Sequence, residues 1–175
     1  MTFLETSRLR LRNVSLKDVV QIVDYRNNEQ CSKYQRGQTK DYDGIVALIE
    51  RRKDDTLNVE SPSMIGVASR ETDLLIGEIV VMPNDGTISL GYTFSYKVHR
   101  NGYAYESLSA LIDYLHERYP QWDFICFTER ENIPSMNLLK KLGYADFGYL
   151  PSKNSQVFGK WLRQDTLAEI TQAVR

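Results

Sequence analysis

Cysteine, histidine and proline are scarce in these 175 residues, at two, two and five copies, and neither sign of charge prevails. Each scarcity excludes something. Cys31 and Cys126 have no CxxC spacing and build no disulfide framework, as expected of a chain kept in a reducing compartment. His99 and His116 are too scattered for a histidine metal site, and His116-Glu117 lacks the HExxH spacing, so no metal is expected. Lys and Arg number 22 against 23 Asp and Glu, a formal net charge of −1, whereas a dedicated nucleic-acid binder carries a basic footprint. No apolar run approaches the roughly 20 residues that span a bilayer. Met1-Thr2-Phe3-Leu4-Glu5 has no basic flank leading into an apolar stretch. The expectation is a cytoplasmic protein with neither a nucleic-acid nor a membrane partner.

What is present is the composition of a globular chain, 42% hydrophobic and 26% charged. No repeat, low-complexity tract or Pro/Gly-rich linker divides it, so residues 1–175 are read as a single domain. Arg8-Leu9-Arg10-Leu11-Arg12 alternates with period two, the mark of a strand with one wet face. Ser15-Leu16-Lys17-Asp18 opens a helix carrying Val19, Ile22 and Val23 on one side, and Ile45, Leu48 and Ile49 mark a second. Three strand-like segments follow, Met64 to Ser69, Leu74 to Met82 and Thr87 to about Tyr96. Turn residues at Asp73 and Asn84-Asp85-Gly86 separate them, which predicts an antiparallel meander.

The period then changes. Ala104, Leu108, Leu111, Ile112 and Leu115 fall on a helical stripe that Pro120 stops. Trp122 to Thr128 reads as a strand covered on both faces, and Pro134 through Leu142 as a helix ended by Gly143. Tyr144 to Leu150 and Gln156 to Leu162 are two last strands, and Thr166 to Val174 a terminal helix. The sum is an α+β domain on a mixed, mostly antiparallel sheet of about six or seven strands flanked by helices.

The junction Val98-His99-Arg100-Asn101-Gly102-Tyr103-Ala104 joins a strand to the long helix. Amides at a helix N-terminus point outward without partners, and the helix dipole adds partial positive charge. Together they suit a phosphate. Gly102 keeps a Cβ out of the way and Ala104 keeps the next turn small, while the absence of GK[ST] and GxGxxG excludes the common nucleotide loops.

His99-Arg100-Asn101-Gly102-Tyr103-Ala104 resembles the (Q/R)-x-x-G-x-(G/A) pyrophosphate loop of the GNAT superfamily of acyl-CoA-dependent N-acetyltransferases. Gly91-Tyr92 and Ala104-x-Glu106 are similar to the flanking pattern of its ribosomal-protein alanine acetyltransferase branch. Asn132-Ile133-Pro134-Ser135 through Leu139-Lys140-Lys141-Leu142-Gly143-Tyr144 looks like that branch's N-x-x-S…L-x-K-L-G-F/Y element. Leu4 to Arg12 and Tyr25-Arg26-Asn27-Asn28-Glu29 fit as well, so the resemblance covers nearly the whole chain in order.

The resemblance implies that acetyl-CoA is the acetyl donor and that a protein N-terminus or a small amine accepts. The expected assembly is a monomer or a homodimer, between which the sequence does not choose. The amides of Arg100, Asn101, Gly102, Tyr103 and Ala104, helped by Tyr105, would hold the CoA pyrophosphate, with the Arg100 side chain screening it. The strand backbone around Phe94 would pair with the pantetheine amides and polarise the thioester carbonyl. Asn132 and Ser135 fall where the family contacts the pantetheine and thioester end, and Ser135 would hydrogen-bond or protonate the departing thiolate. Acceptor-side residues are expected between Gln30 and Gln38 and near Gln156.

Departures from the family pattern matter too. Leu139 stands where many members have an acidic Tyr, and Ser89 where the branch often has a Glu. These two leave room for a catalytically silent acyl-CoA sensor as the alternative function. The residues themselves carry two readings each. Glu78 alternates with apolar neighbours and is either a base with a raised pKa or a carboxylate paired with a nearby cation. Ser135 is a helix cap or a thiolate contact, and Asn132 a ligand contact or an N-cap. Cys126 reads as core strand, which disfavours an acyl-cysteine route.

Overall fold

The alternation at Arg8–Arg12 does form a strand, β2 (Leu9–Asn13), in the computed structural model, which describes residues 1–175. Its partner is an edge strand that the sequence reading missed, β1 (Thr2–Glu5). Four residues are too few to show a period, and this strand exists through its ladder to β2. The sheet accordingly has eight strands rather than six or seven.

A 3-10 turn at Leu16–Asp18 leads into α1 (Val19–Arg26), then a single-turn helix α2 (Glu29–Ser32) and α3 (Tyr42–Arg52). The meander is β3 (Ser63–Ser69), β4 (Leu75–Asn84) and β5 (Thr87–Phe94), antiparallel throughout. Between β4 and β5 only Asp85 and Gly86 turn the chain, at φ 48° and 82°. Two successive left-handed residues match the twist of a tight hairpin, which is what Asp-Gly supplies. Next come α4 (Tyr103–Arg118), β6 (Asp123–Thr128), α5 (Ile133–Lys141), β7 (Ala145–Leu150), β8 (Ser155–Lys160) and α6 (Gln164–Ala173). Gly143, at φ 94°, ends α5 as expected.

Strand order is β1-β2-β3-β4-β5-β6-β8-β7. Every neighbouring pair is antiparallel except β5 and β6, which run parallel because α4 carries the chain back. Helices cover both faces. Leu108, Leu111, Ile112 and Leu115 of α4 join Leu9, Leu11, Ile65, Val67, Ile79 and Val81 in one buried cluster. Val19, Ile22 and Tyr25 of α1 and Ile45 and Ile49 of α3 pack with Met64 and Leu75 in a second. Ile65 and Met64 are adjacent and point to opposite faces, so the clusters lie on the two sides of the sheet.

Asp73, left-handed at φ 60° in the β3–β4 turn, is a charge hub. It accepts from Arg10, Arg12 and Lys17. Burial alone would raise its carboxyl, but the bonds from Lys17 and Arg12 outweigh that and hold it at about 2, below its ordinary 3.8. A depressed carboxyl stabilises the fold above its unfolded pKa and loses that contribution as pH falls through its folded one. Acid titration should therefore lower the melting temperature between about pH 4 and pH 2. An Asp73→Asn variant should lose most of that slope, and a slope unchanged by the substitution would assign it to other carboxylates.

Candidate active site

The parallel pairing of β5 with β6 is short. Only Thr87 with Asp123 and Ile88 with Phe124 are in register, and past them the strands diverge. β5 continues beside β4, while β6 continues beside β8. The divergence opens a cleft of about 310 Å³, walled by Leu90, Gly91 and Tyr92 on one side and Cys126, Phe127 and Thr128 on the other. Ser135 and Leu139 of α5 line it, with Asn132. Phe127 is 42% exposed, so β6 is covered on both faces only in part, contrary to the sequence expectation.

A diverging strand leaves backbone groups without a ladder partner, and three carbonyls of β5 have found substitutes. Cys126 Sγ lies 3.8 Å from the Leu90 carbonyl, Gln35 Nε2 donates to that of Tyr92 at 3.0 Å, and the Phe94 carbonyl accepts from His99 Nε2 at 2.8 Å. Cys31 Sγ approaches the Phe94 carbonyl as well, at 3.4 Å. On the strand expected to pair with the pantetheine amides, the Phe94 carbonyl is thus already engaged. The Phe94 ring is buried in the main cluster. His99, which the sequence left as a loop residue, is thus a strut from the junction to the strand, and Gln30 Nε2 meets its other nitrogen at 3.3 Å.

The junction itself is shaped by two left-handed residues, Arg100 at φ 67° and Gly102 at 77°. Gly102 occupies the N-cap of α4 without any side-chain cap, so the first-turn amides of Tyr103, Ala104 and Tyr105 are not claimed by a capping side chain. Asn101 braces the loop, its Nδ2 donating to the carbonyls of Val98 and His99. Arg8 is a neighbour that sequence reasoning did not single out. Its guanidinium donates to the Asn101 carbonyl, lies 4.2 Å over the Tyr103 ring and pairs with Glu106 at 2.7 Å. Glu106 is partly desolvated, which works against its charge, yet bonds from Thr6 and Arg8 lower its pKa.

The α5 start is capped by Asn132, whose Oδ1 accepts from the Ser135 amide at 3.3 Å. That is the capping alternative for Asn132, and its position in the cleft lining stands beside it. The Ser135 side chain is free of capping duty. Its hydroxyl lies 2.6 Å from the Tyr92 hydroxyl across the cleft. Behind them Cys126 is buried, and desolvation raises its thiol pKa, which suits a packed thiol better than a nucleophile.

Glu78 does not reach the cleft chemistry. It pairs across the sheet with Thr93, one residue out of phase with Tyr92 and so on the opposite face. At 1% exposure it receives two bonds from Arg26, at 2.8 and 2.5 Å, and one from the Tyr25 hydroxyl. Arg26 spends its remaining reach on the Thr39 carbonyl. The reading of Glu78 as a base is therefore corrected: its oxygens are engaged by a buried cation and a phenol. The Gln30–Gln38 segment, expected on the acceptor side, does approach the cleft, where Tyr34, Gln35 and Arg36 line it and Arg36 pairs with Glu129. Gln156 instead turns to Asp146.

The site is thus a mixed sheet split at its one parallel pair, with helix amides at the start of α4 that no side chain caps. The chain belongs to the GNAT acetyltransferase family, whose domain, described as "Acetyltransferase (GNAT) domain", matches residues 8–145. It is an acyltransferase by that membership. It is 29% identical over 146 residues to the uncharacterized N-acetyltransferase YnaD of Bacillus subtilis, covering 82% of this chain and 83% of that one. Among solved structures, a GNAT-family acetyltransferase from Bacillus anthracis superposes with a TM-score of 0.76 at 22% identity, over 91% of this chain and 96% of its own. The ribosomal-protein-S5-alanine acetyltransferase of Vibrio fischeri does so with a TM-score of 0.70 at 15% identity, over 93% and 100%. The likeness to both structures is one of fold.

Removing one partner of a buried pair leaves the other charge uncompensated, at a cost of about 3–5 kcal/mol. Urea denaturation should show a loss of about that size for Arg26→Met, and a clear loss for Glu78→Gln. The double variant should lose less than the sum, because the charges belong to one network. Additive losses would mean that the pair is not one unit.

Proposed function

We propose that the protein binds acetyl-CoA in the cleft and transfers its acetyl group directly to a primary amine. The observation that carries this reading is the combination of diverging strands with uncapped first-turn amides at Gly102. The residues present fit the donor. Tyr103, Ala104 and Tyr105 would offer amides to the pyrophosphate, with Arg100 and Arg8 adding positive charge nearby, and β5 would offer backbone groups to the pantetheine arm. When bound, CoA supplies an activated thioester carbonyl and a thiol leaving group.

This chain's own contribution is mainly positioning. The cleft walls hold the thioester between β5 and β6, and the Ser135 hydroxyl faces the departing sulfur. Glu78 is closed, and Ser89 takes the place where a family carboxylate often stands, so no strong base is assigned. That favours an amine with a substantial neutral fraction near pH 7–8. A protein α-amine titrates near about 8, whereas a lysine side chain, near about 10.4, needs a base. The preferred acceptor is therefore a peptide N-terminus, with small amines second. The whole chain acts as one domain in this reading.

Thiol release from acetyl-CoA should be measured against peptides with free alanine or serine N-termini, spermidine, amino acids and an aminoglycoside. Turnover is expected with the peptides first. CoA binding by calorimetry without turnover on any acceptor would favour the silent sensor, and absence of CoA binding would overturn the reading. A Gly102→Val variant, forced to place a β-branched residue at φ 77°, should bind CoA at least tenfold more weakly.

A further inference from the structure

Tyr92 has a hydroxyl with a single partner. Its ring stands on the β5 wall, and its oxygen reaches 2.6 Å from Ser135 Oγ on α5, so the bond ties the two walls of the cleft together. A phenol is a stronger hydrogen-bond donor than an aliphatic hydroxyl, its pKa of about 10 lying well below that of a serine. Ser135 Oγ lies within hydrogen-bond distance, and the more acidic phenol takes the donor role: Tyr92 donates and the serine oxygen accepts. A serine hydroxyl carries one proton and two lone pairs. With the amide of Ser135 capped by Asn132 and its oxygen taken by Tyr92, the serine proton is left to point elsewhere, and the open direction is the cleft. Burial raises the Tyr92 pKa, and the Ser135 bond lowers it only in part, so the phenol keeps its proton and the direction does not reverse with pH.

We propose that Tyr92 is a positioning residue that aims the Ser135 hydroxyl at the thioester sulfur. This rests on the reading of the cleft as the acetyl-CoA site. The amine lone pair forms the new C–N bond, the C–S bond breaks, and its electron pair stays on sulfur. The Ser135 O–H donates a hydrogen bond to that thiolate and keeps its proton, while the surplus proton of the amine leaves to water. Leu139, which has no hydroxyl, occupies the position on α5 where many members of the superfamily carry a Tyr. Here a phenol serves the same end from the opposite wall, acting through the serine rather than on the sulfur.

Free CoA, titrated on the protein and followed by thiolate absorbance in the ultraviolet, tests this without an acceptor. The bound thiol should titrate about one pH unit below CoA in solution, the size of a hydrogen bond to a charged group. Ser135→Ala should abolish the shift. Tyr92→Phe, which removes one oxygen and little volume, should abolish most of it while leaving the melting temperature and low-pH CoA affinity nearly unchanged. In turnover, kcat for Tyr92→Phe should fall about tenfold with KM for acetyl-CoA unchanged, and Tyr92→Phe should cost nothing further in a Ser135→Ala background. An unaltered thiol titration in Tyr92→Phe, or additive losses in the double variant, would overturn the proposal while CoA binding stood. Failure of CoA to bind would remove the cleft reading itself, and the proposal with it.

Discussion

The whole arrangement depends on a parallel strand pair that stops after two residues on each side. Parallel strands need a crossover, and the crossover here is α4, so the helix that buries the core is also the helix whose N-terminus lies beside the split. One connection therefore creates three things at once: the parallel pair, the divergence beyond it, and the uncapped amides. The core residues Leu108, Leu111, Ile112 and Leu115 hold α4 in place, so its N-terminal amides inherit their position from packing rather than from their own loop.

Two polar struts then hold the flanks. Arg8 and Glu106 tie β2 to the first turn of α4, and Arg26 and Glu78 tie α1 to β4 from the other face of the sheet. The first pair lies at the surface, with Arg8 exposed, whereas the second is buried, and Arg26 also reaches the Thr39 carbonyl. The acidic residue that looked most catalytic by strand alternation is thus a fastener. Alternation identifies which residues share a face, but not what waits on that face, and at Glu78 it was an arginine 52 residues earlier.

Much of the fold was legible because period carries it: the strand at Arg8–Arg12, the α4 stripe, the Asp85-Gly86 turn and the Gly143 stop all lie where local chemistry puts them. β1 was not, since four residues have no period and its stability is wholly in the ladder. The junction at Gly102 was legible as a helix start and became meaningful through the family resemblance. Tyr92 enters the sequence reading only as part of a Gly-Tyr motif. Its partner lies 43 residues on, and no spacing rule links a strand residue to a helix across a cleft. His99 and Gln35 escaped for the same reason: they satisfy backbone carbonyls, an obligation invisible in side-chain patterns.

The divergence of β5 from β6 also has a mechanical side. Five strands lie on one side of the apex and three on the other, and within the sheet the two plates are joined by a seam only two residues deep. The seam carries little of the ladder, while the strands on either side are held by long antiparallel pairings and one buried cluster spans both sides. Pairing within the sheet is thus unevenly distributed: eight register pairs join β4 to β5, and two join β5 to β6.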